Sequence, residues 1–192
     1  MRKLKLQVQM SVDGCIAGNN GEMDWMIFNW DDALKAYVEN LTSNVDTVLL
    51  GRNMTDGFMA YWSSVSAEPD NPEYAFAKKL MDTPKIVFSR TLKESKWENT
   101  VLSNGDFVEE IQALKKKEGG DIIVYGGAAF DASLIEKELI DEYYLFVNPA
   151  VIGSSKSIFN MITHQIRLKM VESVAFSCGI VLLRYEAQRE ES

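Results

Sequence analysis

Three short stretches hold the residues best suited to chemistry in this chain, and each follows a run of apolar residues. Ile122-Ile-Val-Tyr125 leads into Gly126-Gly127-Ala128-Ala129, Val45 to Leu50 leads into Gly51-Arg52-Asn53, and Lys85 to Phe88 leads into Ser89-Arg90-Thr91. A glycine pair lets the backbone turn sharply and approach a ligand without a side chain in the way. The free amides of a helix that opens after it suit a phosphate, and arginine adds a planar fork for the same group. The plainer alternative for each stretch is a tight strand-to-helix turn with no ligand. Two adjacent carboxylates, Asp31 and Asp32, stand at the start of an amphipathic stretch. They either stabilise a helix dipole or hold a proton beside an apolar pocket, where desolvation raises a carboxyl pKa. Trp25 and Phe28, beside Met23, Met26 and Ile27, either cap the core or wall a flat aromatic ligand.

The elements that position these groups follow from periodicity. Lys3 to Ser11 alternates, with Leu4, Leu6, Val8 and Met10 on one side and Lys5, Gln7 and Gln9 on the other, which predicts a strand with one polar face. A Gly-, Asn- and Asp-rich loop runs from Ser11 to Trp25, of the length expected of a lid or binding loop. Asn29 or Asp31 caps a helix to about Asn44, with Ala33, Leu34, Tyr37, Val38 and Leu41 on one face. The unbroken apolar run at 122–125 predicts a strand buried on both faces, and buried strands are likewise expected at 45–50 and 85–88. Further helices are expected at Glu73 to Met81 and Phe107 to Glu118, and a short strand at Val101-Leu102. The segments 61–72 and 151–156 read as polar excursions. Strands at Asp141 to Val147, Ile166 to Val174 and Ile180 to Glu186 follow, the last two across a Ser177-Cys178-Gly179 turn. Gln188 to Ser192 reads as a frayed tail. The expectation is one α/β domain over residues 1–192, with three strands ending in ligand-ready residues at the edge where open α/β sheets bind.

Composition narrows the function. With 192 residues, 46% apolar and 25% charged, the chain suits one well-buried domain. The net charge of −8 and the lack of a basic run beyond Lys115-Lys116-Lys117 argue against nucleic acid. No stretch has the length of a membrane span, and Met1-Arg2-Lys3 opens no export signal. Cys15 and Cys178 are far apart and fit free thiols in a reducing cytoplasm. With His164 the single histidine, a catalytic metal or a Ser-His-Asp triad is not expected. Neither G-x-G-x-x-G nor G-x-x-x-x-G-K-[ST] occurs.

Taken together, the Val-Asp-Gly loop with its tryptophan, the acid-bearing helix, Leu50-Gly51-Arg52 with Gly57-Phe58, Phe88-Ser89-Arg90, Tyr125-Gly126-Gly127-Ala128, and Tyr143 to Phe146 with Pro149 and Gly153 resemble the dihydrofolate reductase fold. Within it the chain is most similar to the C-terminal reductase domain of bacterial riboflavin deaminase-reductase and its stand-alone relatives. The resemblance implies a mixed, mostly parallel sheet flanked by helices, with antiparallel C-terminal strands. It implies an oxidoreductase that uses NADPH to reduce a C=N or C=O bond of a small heterocycle, of riboflavin-pathway or pterin type. By motif, Gly51, Arg52 and Asn53 would meet the cofactor phosphates, and Ser89, Arg90 and Thr91 the adenosine and its 2′-phosphate. Tyr125, Gly126, Gly127, Ala128 and Ala129 would line the pyrophosphate. Ile16, Ala17 and Gly18 would lie by the nicotinamide, under a loop from Gly21 to Trp25. Asp31 or Asp32 would supply the proton, with Trp25 and Phe28 at the substrate, and a homodimer is implied. Met54 stands where the family often has threonine, with Thr55 next to it. A non-catalytic nucleotide-binding module and a flavin-binding protein are the alternatives on the same fold.

Overall fold

The computed structural model describes residues 1–153 and 156–189. Ten strands and five helices alternate in the order β1 (Leu4–Ser11), β2 (Cys15–Ala17), α1 (Asp32–Thr42), β3 (Val45–Gly51), α2 (Arg52–Val65), α3 (Tyr74–Asp82), β4 (Lys85–Phe88), β5 (Thr100–Ser103), α4 (Phe107–Lys116), β6 (Asp121–Gly126), α5 (Ala128–Glu136), β7 (Glu142–Asn148), β8 (Lys156–Ser157), β9 (Leu168–Ala175) and β10 (Val181–Ala187). Eight of the strands form one sheet in the order β5-β4-β3-β6-β1-β7-β10-β9, and β2 pairs with β8 in a small separate ribbon. From β5 to β7 every pairing is parallel, whereas β10 runs antiparallel to both β7 and β9. This is the mostly parallel sheet with antiparallel C-terminal strands that the resemblance implies.

Both faces of the sheet are covered, which is why its central strands read as continuous apolar runs. One face packs Leu4, Leu6, Ile122, Val124 and Leu145 against α4 and α5 through Ile111, Leu134 and Ile135. The other packs Tyr144, Phe146 and Leu182 against Leu34, Val38 and Leu41 of α1. Alongside, Val48, Leu50, Val87 and Ile123 lie under α2 and α3 through Met59 and Leu80.

Four features differ from the sequence reading. The polar side of β1 is not a solvent face: register sets Gln7 opposite Tyr144 and Gln9 opposite Phe146, on the side covered by α1. Lys5 is buried there because Asp121 takes its ammonium at 2.9 Å and the Leu41 carbonyl at 3.1 Å. Secondly, α2 starts directly at Arg52 and takes up most of what read as ligand loop and polar excursion; Gly57 in its middle and Ser63-Ser64 near its end hide the helical period. Thirdly, β2 and β8 are too short, at three and two residues, to leave a pattern in the sequence. Lastly, of the tail expected at 188–192, Gln188 donates to the Arg167 carbonyl at 3.0 Å and Arg189 pairs with Asp141 at 2.8 Å. Residues 190–192 lie outside the described residues.

The two ends of the parallel strands are built differently. At the N-terminal edge, charges tie neighbouring elements together: Arg2 with Asp46, Lys3 with Glu142, and Lys115 with Asp141 at 2.5 Å. At the C-terminal edge stand the glycine turns and the starts of α2 and α5. Buried ion pairs contribute little net stability but are costly to break, so they fix one edge and leave the chemistry to the other.

Candidate active site

The register of β3 and β6 places Leu50 opposite Gly126 after a local irregularity at Leu49/Leu50. The strand ends come so close that a Cβ on Gly51 would stand 2.9 Å from the Gly126 carbonyl oxygen and 2.8 Å from Cβ of Phe130. Only glycine fits. Gly126 and Gly127 hold φ of 68° and 112°, the left-handed region glycine adopts freely. A Cβ on Gly127 would meet nothing nearer than Met54 at 3.7 Å, so backbone there is open to close approach.

From these ends two helices start side by side, α2 at Arg52 and α5 at Ala128. Gly51 and Gly127 are their N-caps and neither has a side chain to satisfy the first amides. By contrast α1 and α4 are capped by Asp31 and Asp106. Two uncapped N-termini facing one glycine-lined gap form a cradle of amide donors with partial positive charge. Met54, in contact distance of Gly127, sits within this gap. Its neighbour Thr55 is turned inward and donates its hydroxyl to the Gly51 carbonyl at 2.9 Å, fixing the turn.

Cations flank the cradle. Arg52 pairs with Asp56 at 3.0 Å, and Asp56 also takes Lys96 at 2.7 Å. These two hydrogen-bonded cations, Lys96 first, hold the Asp56 carboxyl below its usual range. Both stand over the ring of Trp97, Arg52 at 5.5 Å and Lys96 at 5.3 Å from its centre. Lys96 and Trp97 were not foreseen; the signal available was a tryptophan flanked by lysine shortly after Ser89-Arg90-Thr91. Ser89 follows β4, which pairs with β3 up to Gly51 and Phe88. Its hydroxyl accepts from the Thr91 and Leu92 amides at 3.2 and 3.0 Å, so it shapes the turn that presents exposed Arg90 and Thr91. Asn53 is exposed on the first turn of α2. Tyr125 turns away from the cradle, its ring 5.6 Å from Phe58 beneath α2, and burial pushes its hydroxyl pKa well up.

Next to the cradle the sheet opens. β1 pairs with β6 only as far as Leu6 and Val124, although β1 continues to Ser11 beside β7. The loop after β1 is pinned to the segment that follows β7. Asp13 accepts from the Gly153 amide at 2.7 Å, and Ser11 from the Cys15 amide at 3.0 Å. Ile16 and Ala17 lie on β2, and Gly18 donates to the Glu22 carbonyl at 2.9 Å in a turn. Trp25 is half-buried and donates to the Glu22 carbonyl at 3.2 Å. The Ile27 amide reaches Oδ1 of Asn148 at 2.9 Å, which seats the loop on the end of β7. Phe28 is 71% exposed and its ring wraps no pocket in this conformation.

The two candidate acids are distinguished by their surroundings. Asp31 is a cap: Oδ1 accepts from the Leu34 amide at 2.8 Å, and Oδ2 from the Ser177 hydroxyl at 2.7 Å and the Cys178 amide at 3.0 Å. These donors, Ser177 foremost, draw its pKa down to about 2. With both oxygens so engaged, Asp31 ties α1 to the turn before β10. Asp32 lies exposed in the first turn of α1.

Comparison with known proteins bears on this geometry. The RibD C-terminal domain family matches residues 2–182. The chain belongs to that family. A Bacillus subtilis protein of the same kind, named as uncharacterized protein YyaP, is 35% identical over 184 residues, covering 96% of this chain and 94% of its own. A putative riboflavin biosynthesis protein from Shewanella sp. PV-4 shares the fold at TM-score 0.72 and 23% identity, over 98% of this RibD-family chain and all of the other. The dihydrofolate reductase of Enterococcus faecalis, solved with NADP(H), shares it at TM-score 0.63 and 19% identity, with 97% of both chains covered.

Proposed function

We propose that this protein is a reductase that binds NADPH across the β3 and β6 ends and transfers hydride to a C=N or C=O bond of a small heterocycle. The observation that carries the reading is the pair of uncapped helix N-termini meeting at Gly51 and Gly126-Gly127, with Arg52 and Lys96 beside them. These residues fit a pyrophosphate-bearing cofactor: backbone amides and cations converge where the glycines leave room. Membership of the RibD C-terminal domain family supports the reading, as does NADP(H) bound to the enterococcal reductase of the same fold. The dinucleotide supplies the hydride when bound, and the chain supplies position and electrostatics. Gly51, Gly126, Gly127 and the first amides of α5 would hold the pyrophosphate. Arg52 and Lys96, with Arg90 exposed nearby, would hold the 2′-phosphate. Asp32, or water at the mouth of the opening between β1 and β6, would provide the proton.

Titration of the purified protein with NADPH and NADH, followed by tryptophan fluorescence, tests the assignment. Trp97 lies under Arg52 and Lys96 and reports binding. Tight NADPH and weak NADH are expected. Arg52→Ala should weaken NADPH about tenfold or more, the worth of a charge-assisted bond, and Asp56→Asn, which releases both cations, should tighten it. Equal affinity for the two dinucleotides with no effect of either variant would remove the 2′-phosphate assignment, and binding of neither would remove the reductase reading.

A further inference from the structure

One buried acid stands at the cradle and takes no part in the site as built so far. Asp131 lies in the first turn of α5 and is 1% exposed. Helical side chains lean back towards the start of their helix, and the Asp131 carboxyl fills the space that a side chain on Gly126 would take. It therefore rests directly against the glycine turn. Its Oδ1 is buried without a hydrogen-bond partner among the described residues. The nearest first-turn amides do not answer it, since those of Phe130 and Asp131 both donate to the Gly127 carbonyl, at 2.9 and 3.0 Å.

The charges on the surrounding elements are engaged elsewhere. On β6, Asp121 pairs with Lys5 at the far end of the strand, and Tyr125 packs on Phe58. On β3, Asp46 pairs with Arg2 at the N-terminal edge. At the other end of α5, Glu136 accepts from the Thr163 hydroxyl at 2.6 Å, and Lys137 caps the helix. Lys156 of β8 faces Gly21 and Glu22. At the start of α2, Arg52 is held by Asp56. On the α4 side, Phe107 and Phe88 of β4 cover Phe130, and Glu110 is taken by Ser103. No cation pairs with Asp131 among the described residues, and burial alone raises its pKa well above the ordinary 3.8.

We infer that Asp131 couples a proton to occupancy of the cradle: a diphosphate at Gly126-Gly127 is bound with the Asp131 carboxyl neutral, so binding takes up a proton and weakens as pH rises. The inference rests on the cofactor site proposed above and adds its regulation. A neutral carboxyl leaves the amide cradle positive. An ionised one sets a full negative charge beside the glycines that the diphosphate would touch, where little water screens it. Proton and ligand each favour the other by the same factor. Below the carboxyl's pKa in the free protein the proton is already present and affinity is full. Above it each binding event must first restore the proton, at a loss of about tenfold in affinity per pH unit.

The test uses ADP-ribose, which carries the diphosphate without a nicotinamide or a 2′-phosphate, and NADPH beside it. Dissociation constants are measured between about pH 5 and pH 9 for the parent and for Asp131→Asn, with Asp131→Ser as a second neutral variant. The ratio of parent to variant cancels the titration of all other groups, those of the ligand included. For both ligands it should rise at least about tenfold across the range. Calorimetry in buffers of different ionisation enthalpy should show proton uptake by the parent, about one per ligand at most, that both variants lack. A merely structural Asp131 would change affinity by one factor at every pH. A ratio that is flat with pH, or equal proton uptake in parent and variants, overturns the inference. If NADPH binds with a flat ratio, the reductase reading survives and the coupling falls. If ADP-ribose binds with a rising ratio and NADPH does not bind, the reductase reading falls and the coupling stands. Binding of neither ligand at any pH removes both.

Discussion

At the scale of single residues, three aspartates illustrate how environment divides one chemistry. Asp31 is held ionised by the Ser177 hydroxyl and the Leu34 and Cys178 amides. Its folded pKa of about 2 lies below the ordinary 3.8, so its stabilisation is present above about pH 4 and is lost as pH falls towards 2. Asp31→Ala should therefore lower the melting temperature at pH 7, with the gap to the parent closing on acidification in a calorimetric series. Its turnover per folded molecule should hold, whereas Asp32→Asn should reduce turnover with little change in melting. Asp131 is the opposite case. It is 1% exposed, its carboxyl rests against Gly126, and burial without a partner raises its pKa well above 3.8. Such a group favours the fold below the unfolded pKa and opposes it increasingly as pH rises. Asp131→Asn should stabilise at pH 7 by on the order of 1–3 kcal/mol and by nothing near pH 3; a gain independent of pH would contradict the ionisation account. Both roles were beyond the sequence, since Asp31 depends on a turn 146 positions away and Asp131 looked like any acid in a first turn.

At the scale of elements, what was legible was local and what was not was relational. The apolar runs at 45–50, 85–88 and 122–125 marked buried strands because both faces are covered, and the glycines after them marked close approach. The helix from Arg52 was not legible because it starts on a glycine without a capping side chain. That missing cap is the same feature that makes it useful, since its amides remain free. Likewise the polar side of β1 read as solvent-facing because alternation reports polarity and not what covers it. The site is thus most visible where glycine has no substitute. Gly51→Ala forces a Cβ within 2.9 Å of the Gly126 carbonyl, a backbone atom that cannot yield without parting β3 from β6. Destabilisation of about 1–3 kcal/mol is expected, together with loss of NADPH binding. Gly127→Ala meets no clash but must hold φ at 112°, and should be destabilised by backbone strain of similar order. Chemical denaturation with a parallel NADPH titration checks both; a Gly51→Ala protein with parental stability would show that the strand ends separate freely.

At the scale of the whole molecule the two ends of the sheet are unequal. One ends in β5, a strand of four residues, the other in β9, with eight. A long edge strand is a template for pairing unless something covers or interrupts it. β9 carries an extra residue, Val171, where it faces Arg184 and Tyr185 of β10, and Lys169 and Glu172 lie along β9, which discourages open-ended addition of strands. Apolar side chains nonetheless stand exposed on this hairpin, Val171 at 42% and Val181 at 36%, the latter on the face away from α1. Charged residues along an edge with apolar side chains beside them favour a partner that packs on the face and closes, rather than one that extends the sheet. The expected partner is a second copy of the chain. Light scattering at micromolar concentration should give twice the 21.7 kDa chain mass. Val171→Lys with Val181→Lys should give the single mass while leaving the far-ultraviolet spectrum and NADPH affinity intact, because the cradle at β3 and β6 lies four strands from β9 in the sheet. A parental protein that already scatters as one chain refutes the dimer. A double variant that stays paired moves the interface off this hairpin.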